Sequence, residues 1–183
     1  TTEENYYFKL SQFQPWLIEH LKDNPDFINP AHRRKQVLEF LKEPLNDLCI
    51  SRPKSRLTWG IELPFDRDFV TYVWFDALTN YLTASISGDF ECIDLHLIGK
   101  EIIRFHAIYL LAFLMAADLP LPKKIYAHGW LLMNKEKMSK STGNIAHPSP
   151  IFDVLGKDAL RYYLFRDITF GKDGNFSYDS LIT

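Results

Sequence analysis

The sequence is poor in cysteine, holding only Cys49 and Cys92 in 183 residues. No Cys-x-x-Cys pair and no Cys/His cluster occurs, so no zinc site within this chain is expected. The default reading is two reduced, buried thiols in a cytoplasmic protein. Long apolar runs are also lacking. The longest, around Ile108 to Ala117, is too short and interrupted to span a membrane. Neither sign of charge dominates: 21 basic against 23 acidic residues give a net charge of −2 and a pI of about 6.3. That excludes a broad basic face for nucleic acid and leaves any RNA contact local or on parts not present. There is no internal repeat and no low-complexity segment. The opening Thr-Thr-Glu-Glu-Asn shows neither a signal peptide nor an initiator Met, which suggests a fragment. What is present is an ordinary globular balance, 46% hydrophobic and 24% charged. The length suffices for one good core or two small ones.

Along the chain, Tyr7, Leu10, Phe13, Leu17, Ile18 and Leu21 have helical spacing, which predicts a helix over 6–22 stopped by Asn24-Pro25. A second helix is expected from Asn29-Pro30, with Asn29 as cap and Pro30 in the first turn. Arg33, Arg34 and Lys35 form its wet face. Residues 48–64 read as loops and edge strands, and Asp66-Arg67-Asp68 as a turn. From Phe69 the pattern turns α/β. Val70–Phe75 is expected as a buried strand, Asp76 as the cap of a following helix, and Cys92–Ile98 as a second strand. A long helix over 102–117 follows, then a third strand over 124–127 and a further one at 131–133. Pro148 and Pro150 mark an irregular stretch, 158–165 a short helix, 171–175 a turn-rich loop, and Ser177 a helix cap.

Strands alternating with helices imply a parallel sheet, and ligands bind such sheets beyond the carboxyl ends of the strands. Phe75-Asp76-Ala77, Gly99-Lys100-Glu101 and His128-Gly129-Trp130 all fall there, so the expectation is one shared pocket. Gly99 allows close approach of a ligand, and Glu101 is placed to accept hydrogen bonds from a ribose or an ammonium group. Ala77 and Tyr81 share a helix face. With Trp74, Phe105 and His106 they form a candidate aromatic pocket with one polar wall, suited to a thioether. Spacing alone favours the plainer alternative, that these rings are core.

The most telling stretch is Lys137-Met138-Ser139-Lys140-Ser141-Thr142-Gly143-Asn144. Gly and Asn tolerate left-handed backbone geometry, so it reads as a mobile loop. Its hydroxyls and two ammonium groups suit a polyphosphate. The plainer alternative is a solvated lysine loop.

KMSKS resembles the signature loop of the class I aminoacyl-tRNA synthetases. With Ser51-Arg52 through Trp59-Gly60-Ile61, Tyr72–Ala77 with Tyr81, and Gly99–Glu101 through Arg104-Phe105-His106, the chain resembles their methionyl-tRNA synthetase branch over roughly residues 45–180. The other class I signature, HIGH, is absent; His96-Leu97-Ile98-Gly99 is no match, because Lys100 follows. The resemblance implies an α/β fold: the second half of a class I Rossmann-type catalytic domain with a parallel sheet, plus the returning part of an inserted connective domain. The implied divisions are 1–65 for the end of that insertion, 66–134 for the Rossmann half, and 135–183 for the signature loop and the approach to a helical anticodon-binding domain. The implied activity is ATP-dependent ligation of methionine to tRNA through methionyl-adenylate, with Mg2+ accompanying ATP as substrate. The implied methionine site is Trp74, Ala77, Tyr81, Phe105 and His106. The implied ATP site is Gly99, Glu101, His128, Lys137, Ser139, Lys140 and Ser141, with Lys137 and Lys140 catalytic. The chain is expected to lack the N-terminal half of the catalytic domain and to be inactive alone. A non-catalytic nucleotide- or RNA-binding paralogue, or an isolated domain of such an enzyme, is the alternative. Two departures stand out: Glu101 replaces the family's usual Asp, and Leu110 stands where many members carry Trp.

Overall fold

In the computed structural model, residues 3–87, 93–139, 141 and 143–183 are described, and the chain divides into two units. The first comprises residues 1–96 and 102–125, the second 97–101 and 126–183. The architecture is mixed α/β and includes parallel strand pairing.

In the first unit a short strand, β1 (Tyr7–Phe8), pairs antiparallel with β3 (Leu48–Cys49). The expected helix over 6–22 is shorter. A 3-10 turn at Leu10–Phe13 precedes α1 (Gln14–Asp23), with Pro15 in its first turn. There the missing proline N–H costs nothing, so Pro15 starts the helix rather than interrupting it. Asn29 does not cap the next helix. It lies in β2 (Ile28–Asn29) and donates to the Asp26 carbonyl, and extended Pro30 precedes α2 (Ala31–Phe40). Leu17, Leu21 and Val37 are buried, and Arg34 donates to the Leu21 carbonyl. Gln14 closes the far end. Its amide nitrogen donates to the carbonyls of Leu41 and Glu43, and its oxygen accepts from Leu45 N–H.

β4 (Ser51–Pro53), β5 (Glu62–Leu63) and β6 (Asp66–Thr71) form an antiparallel sheet with β6 in the centre. The expected turn at 66–68 is therefore the start of a strand, held by pairing with two neighbours that local composition does not reveal. The strand expected over 70–75 ends at Thr71. Helix α3 (Val73–Ser87) begins there, with Phe75 and Asp76 N–H both bonded to the Tyr72 carbonyl. Trp74 and Phe75 are thus helical, and Asp76 sits inside the first turn instead of capping it. The helix expected over 102–117 is also not uniform. A 3-10 turn (Lys100–Ile102) gives way to a π-helical segment (Phe105–Leu110), and α4 (Leu111–Ala116) follows. Cys49 is half-buried rather than buried, and Cys92 lies outside the described residues.

β7 (Leu95–Gly99) and β8 (Lys124–His128) lie in one three-stranded sheet with β2, in the order β2-β8-β7. In the second unit β9 (Leu131–Met133) pairs antiparallel with β10 (Glu136–Lys137) across Asn134 and Lys135. Both turn residues have positive φ, 54° and 65°, the twist that two-residue hairpins require. β11 (Gly174–Phe176) pairs parallel with β9, in a stretch expected as loop. The Pro148–Pro150 stretch is not irregular: α5 (Pro148–Leu155) begins there, with proline in its first turn. α6 (Lys157–Asp167) follows, and Ser177 caps α7 (Tyr178–Ile182) as expected, its hydroxyl accepting from Ser180 N–H. Ile151, Leu160, Tyr163 and Phe176 form the core of this unit, with the Tyr163 hydroxyl accepting from Ser177 N–H.

Candidate functional site

The first unit holds a cluster of rings. Trp74 on α3 stacks on Phe105 at 3.8 Å between centroids. Two turns along α3, Tyr81 Oη lies 2.7 Å from His106 Nε2. His106 Nδ1 lies 3.0 Å from the Ile102 carbonyl, which can only accept, so Nδ1 carries the proton. In the neutral ring Nε2 is then the acceptor, and the Tyr81 hydroxyl donates to it. Burial pushes the His106 pKa down, against the raising effect of the Ile102 carbonyl, and pushes Tyr81 up. Both groups therefore stay neutral near pH 7.

The π-helical segment matters here. It places one more residue per turn than an α-helix, which turns Phe105 and His106 toward the α3 face, and such segments recur at functional sites. Ala77, half-buried, lies four residues before Tyr81 on that face. Leu110, where the resemblance led to an aromatic, is buried against Leu78 and Leu114, with Tyr81 and Phe105 packed around them.

His96, which no sequence expectation placed in the site, is 4% exposed. Its ring sits edge-on to Tyr81 at 4.4 Å and tilted to His106 at 5.6 Å. Burial first, then the proximity of His106, lower its pKa to about 4.

The second unit holds a charged cluster. A Cβ on Gly99 would come within 2.5 Å of the Glu101 carboxylate, and one on Gly129 within 2.2 Å of the Lys172 backbone. Glycine at both positions lets these segments close up. Trp130 lies at the centre. Its indole N–H donates to Glu101 Oε2 at 2.9 Å, and its backbone N–H to Asp173 Oδ1 at 2.9 Å. Asp173 also pairs with Lys100, at 2.6 and 2.7 Å. The Lys100 and Lys137 ammonium groups lie 4.1 and 4.4 Å from the Trp130 ring centroid, within cation–π range.

For Glu101 the largest single influence is burial, which raises its pKa. Its own backbone N–H, the indole and the charges of Lys137 and His128 together outweigh this and hold it below the usual carboxylate range. His128 Nδ1 lies 2.7 Å from the Gly129 carbonyl. In the signature loop Ser139 and Ser141 hydroxyls are 2.8 Å apart, Ser139 bridges to Asn144, and Gly143 has φ of 70°. Lys140 lies outside the described residues.

Of the expected site residues, the structure groups Trp74 with Phe105 and Tyr81 with His106 in one unit, and Gly99, Glu101, His128 and Lys137 in the other. Lys100 and Trp130, expected at the strand ends but given no role of their own, join the second group, and so does Asp173, from the stretch expected as a turn-rich loop. The clue was the placement of Lys100 and Trp130 at strand ends beside named candidates. Among the described residues no group of three His, Cys, Asp or Glu side chains is placed to hold a metal ion, and no helix is long and apolar enough to cross a membrane.

A family model described as "tRNA synthetases class I (M)" matches residues 1–183. The chain belongs to the class I tRNA synthetases. Among its relatives, the methionine–tRNA ligase of Rhizobium meliloti is 48% identical over 189 aligned residues, covering 99% of this chain and 36% of that protein. The methionine–tRNA ligase of Clostridium acetobutylicum is 49% identical, covering 100% of this chain and 29% of that protein. The Mycobacterium tuberculosis methionyl-tRNA synthetase in complex with methionyl-adenylate superposes with a TM-score of 0.91 at 47% identity, covering all of this chain and 37% of that one. This class I synthetase chain therefore spans about a third of the length of the relatives it matches.

Proposed function

We propose that this chain is part of a methionine–tRNA ligase that works through a methionyl-adenylate. The observation that carries this reading is the chain-long likeness to a synthetase solved with methionyl-adenylate. On this reading residues 1–65 close the connective insertion, 66–134 form half of the Rossmann-type fold, and 135–183 carry the signature loop. The protein acts in the cytoplasm.

Trp74, Ala77, Tyr81, Phe105 and His106 hold the methionine side chain. One methylene of fit in an apolar pocket discriminates only about 10–200-fold, so sulfur–ring contacts and a fixed neutral polar wall must add to shape. The Tyr81–His106 pair supplies that wall, its tautomer set by the Ile102 carbonyl. Gly99, Glu101 and His128 receive the nucleoside. Lys137 and Lys140, with Ser139 and Ser141, receive the polyphosphate of ATP, which arrives with Mg2+.

A methionine carboxylate oxygen attacks the α-phosphorus and pyrophosphate leaves, carrying its negative charge to the lysines. A terminal ribose hydroxyl of tRNA then attacks the activated carbonyl and AMP departs. Alignment and charge stabilisation are what the phosphoryl step needs from the protein. The 183 residues alone, about a third of their relatives' length, do not aminoacylate on this reading.

The test is methionine-dependent pyrophosphate exchange by the complete protein. Exchange is expected, and Trp74→Ala raises the methionine KM at least about tenfold with the ATP KM little changed, the scale of losing a packed aromatic wall. Unaltered methionine kinetics in that variant would overturn the pocket. No exchange in the wild type would point to a nucleotide- or RNA-binding paralogue.

A further inference from the structure

We infer that Trp130 is a positioning residue of the nucleotide subsite: its indole N–H holds the Glu101 carboxylate, and its ring is the resting place of the Lys137 ammonium before polyphosphate draws that lysine away. The inference rests on the function proposed above and adds a residue to the same site.

Two features of the second unit carry it. The first is that Trp130 is fixed from both ends. Its backbone N–H is bonded to Asp173, and Gly129 lets the 172–173 backbone approach closely enough for that bond. The indole N–H reaches the side chain whose oxygens lie against Gly99. A carboxylate that must meet a ribose has to be aimed, and an N–H donor on a rigid ring aims it.

The second is that the two ammonium groups on the ring are not equivalent. Lys100 is clamped by both oxygens of Asp173, whereas Lys137 is exposed, on the outgoing arm of the Asn134-Lys135 hairpin. A cation–π contact at an exposed site shifts an equilibrium only roughly two- to fivefold. That is enough to bias where Lys137 rests and weak enough for a polyphosphate to displace it. The ring thus keeps Lys137 near the carboxylate side of the site while the subsite is empty.

The two roles separate by substitution, in the complete protein. Trp130→Phe keeps a ring for Lys137 and removes the N–H; Trp130→Leu removes both. Loss of the N–H is expected to raise the ATP KM about three- to tenfold in both variants, the net scale of one solvent-exposed hydrogen bond, with methionine KM unchanged. Resting on the ring stabilises the free enzyme, so kcat/KM for ATP should be about two- to fivefold higher in Trp130→Leu than in Trp130→Phe. In a Lys137→Ala background that difference should vanish. A residue that merely packed would give the opposite order, leucine worse than phenylalanine, with or without Lys137.

A second readout needs no activity. In the 13C-methylated protein, which keeps its lysine charges, the Lys137 signal, assigned with Lys137→Arg, should be shifted upfield by the ring. It should return to the ordinary lysine position in Trp130→Leu and on adding ATP. A Lys137 signal indifferent to Trp130→Leu overturns the inference. Absence of pyrophosphate exchange in the wild type, with that signal behaving as expected, would count against the ligase reading and leave the resting contact standing.

Discussion

The two units solve opposite problems of solvation. The ring cluster of the first is dry and neutral: His96 and His106 are 4% and 2% exposed, and burial lowers both pKa values. The cluster around Trp130 in the second is wet and charged, with Glu101 and Lys137 exposed and Lys100 paired to Asp173. A thioether offers no charge to grip, so a site for it must exclude water and present fixed, uncharged surfaces. A polyphosphate offers nothing but charge, so its site must stay hydrated until the ligand replaces the water. The same aromatic residue type is used differently in the two units: Trp74 is stacked on Phe105, and Trp130 is a hub for carboxylate acceptors and cations.

The contrast can be broken most severely at the charged end. Lys140→Ala in the complete protein is expected to slow pyrophosphate exchange by about 10²–10³, roughly 3–4 kcal/mol, with methionine affinity little changed. A rate within a few-fold of wild type would refute that role.

The neutral end should yield to acid. The folded-state pKa of His96 is about 4, below its unfolded value of 6.5. The fold therefore binds fewer protons than the unfolded chain between these values. Its stability is fully present above pH 6.5 and is lost as pH falls toward 4. Between pH 7 and 4.5 this removes roughly 2–3 kcal/mol. Amide protection across residues 102–114, corrected for intrinsic exchange, should fall accordingly in wild type and much less in His96→Leu.

Tyr81→Phe is gentler. It leaves His106 Nε2 without its donor, costing about 1–2 kcal/mol, and should raise the methionine KM about tenfold without moving the ATP KM. The smallest effect sharpens the comparison rather than breaking it. Raising salt from about 0.05 to 0.5 M shortens the screening length and should weaken ATP binding a few-fold while leaving methionine KM flat.

Much of this was legible in the chain. KMSKS pointed to the family to which the chain belongs, and the four-residue step from Ala77 to Tyr81 marked a helix face. Ser177 read correctly as a cap, because capping is a local hydrogen bond. What escaped depends on contacts remote in sequence. Asp66 looked like a turn residue until pairing with Leu63 of β5 made it strand. Pro148 looked like a breaker, although proline suits a helix start equally well. Asp173, in an apparent loop, is bonded to Lys100 and Trp130, 73 and 43 positions away. His96, no part of a signature match, is buried against both polar rings. No periodicity in one element reports such neighbours.

The π-helical segment at Phe105–Leu110 has a consequence for anyone redesigning this pocket. Its surplus residue sets the angular offset between the helix stretches on either side. Deleting one residue there would restore ordinary winding and swing the ring-bearing face by about 100°. Phe105 and His106 would then leave Trp74 and Tyr81 with no ring itself altered. The arrangement of these rings is thus set by a count of residues as much as by their identities.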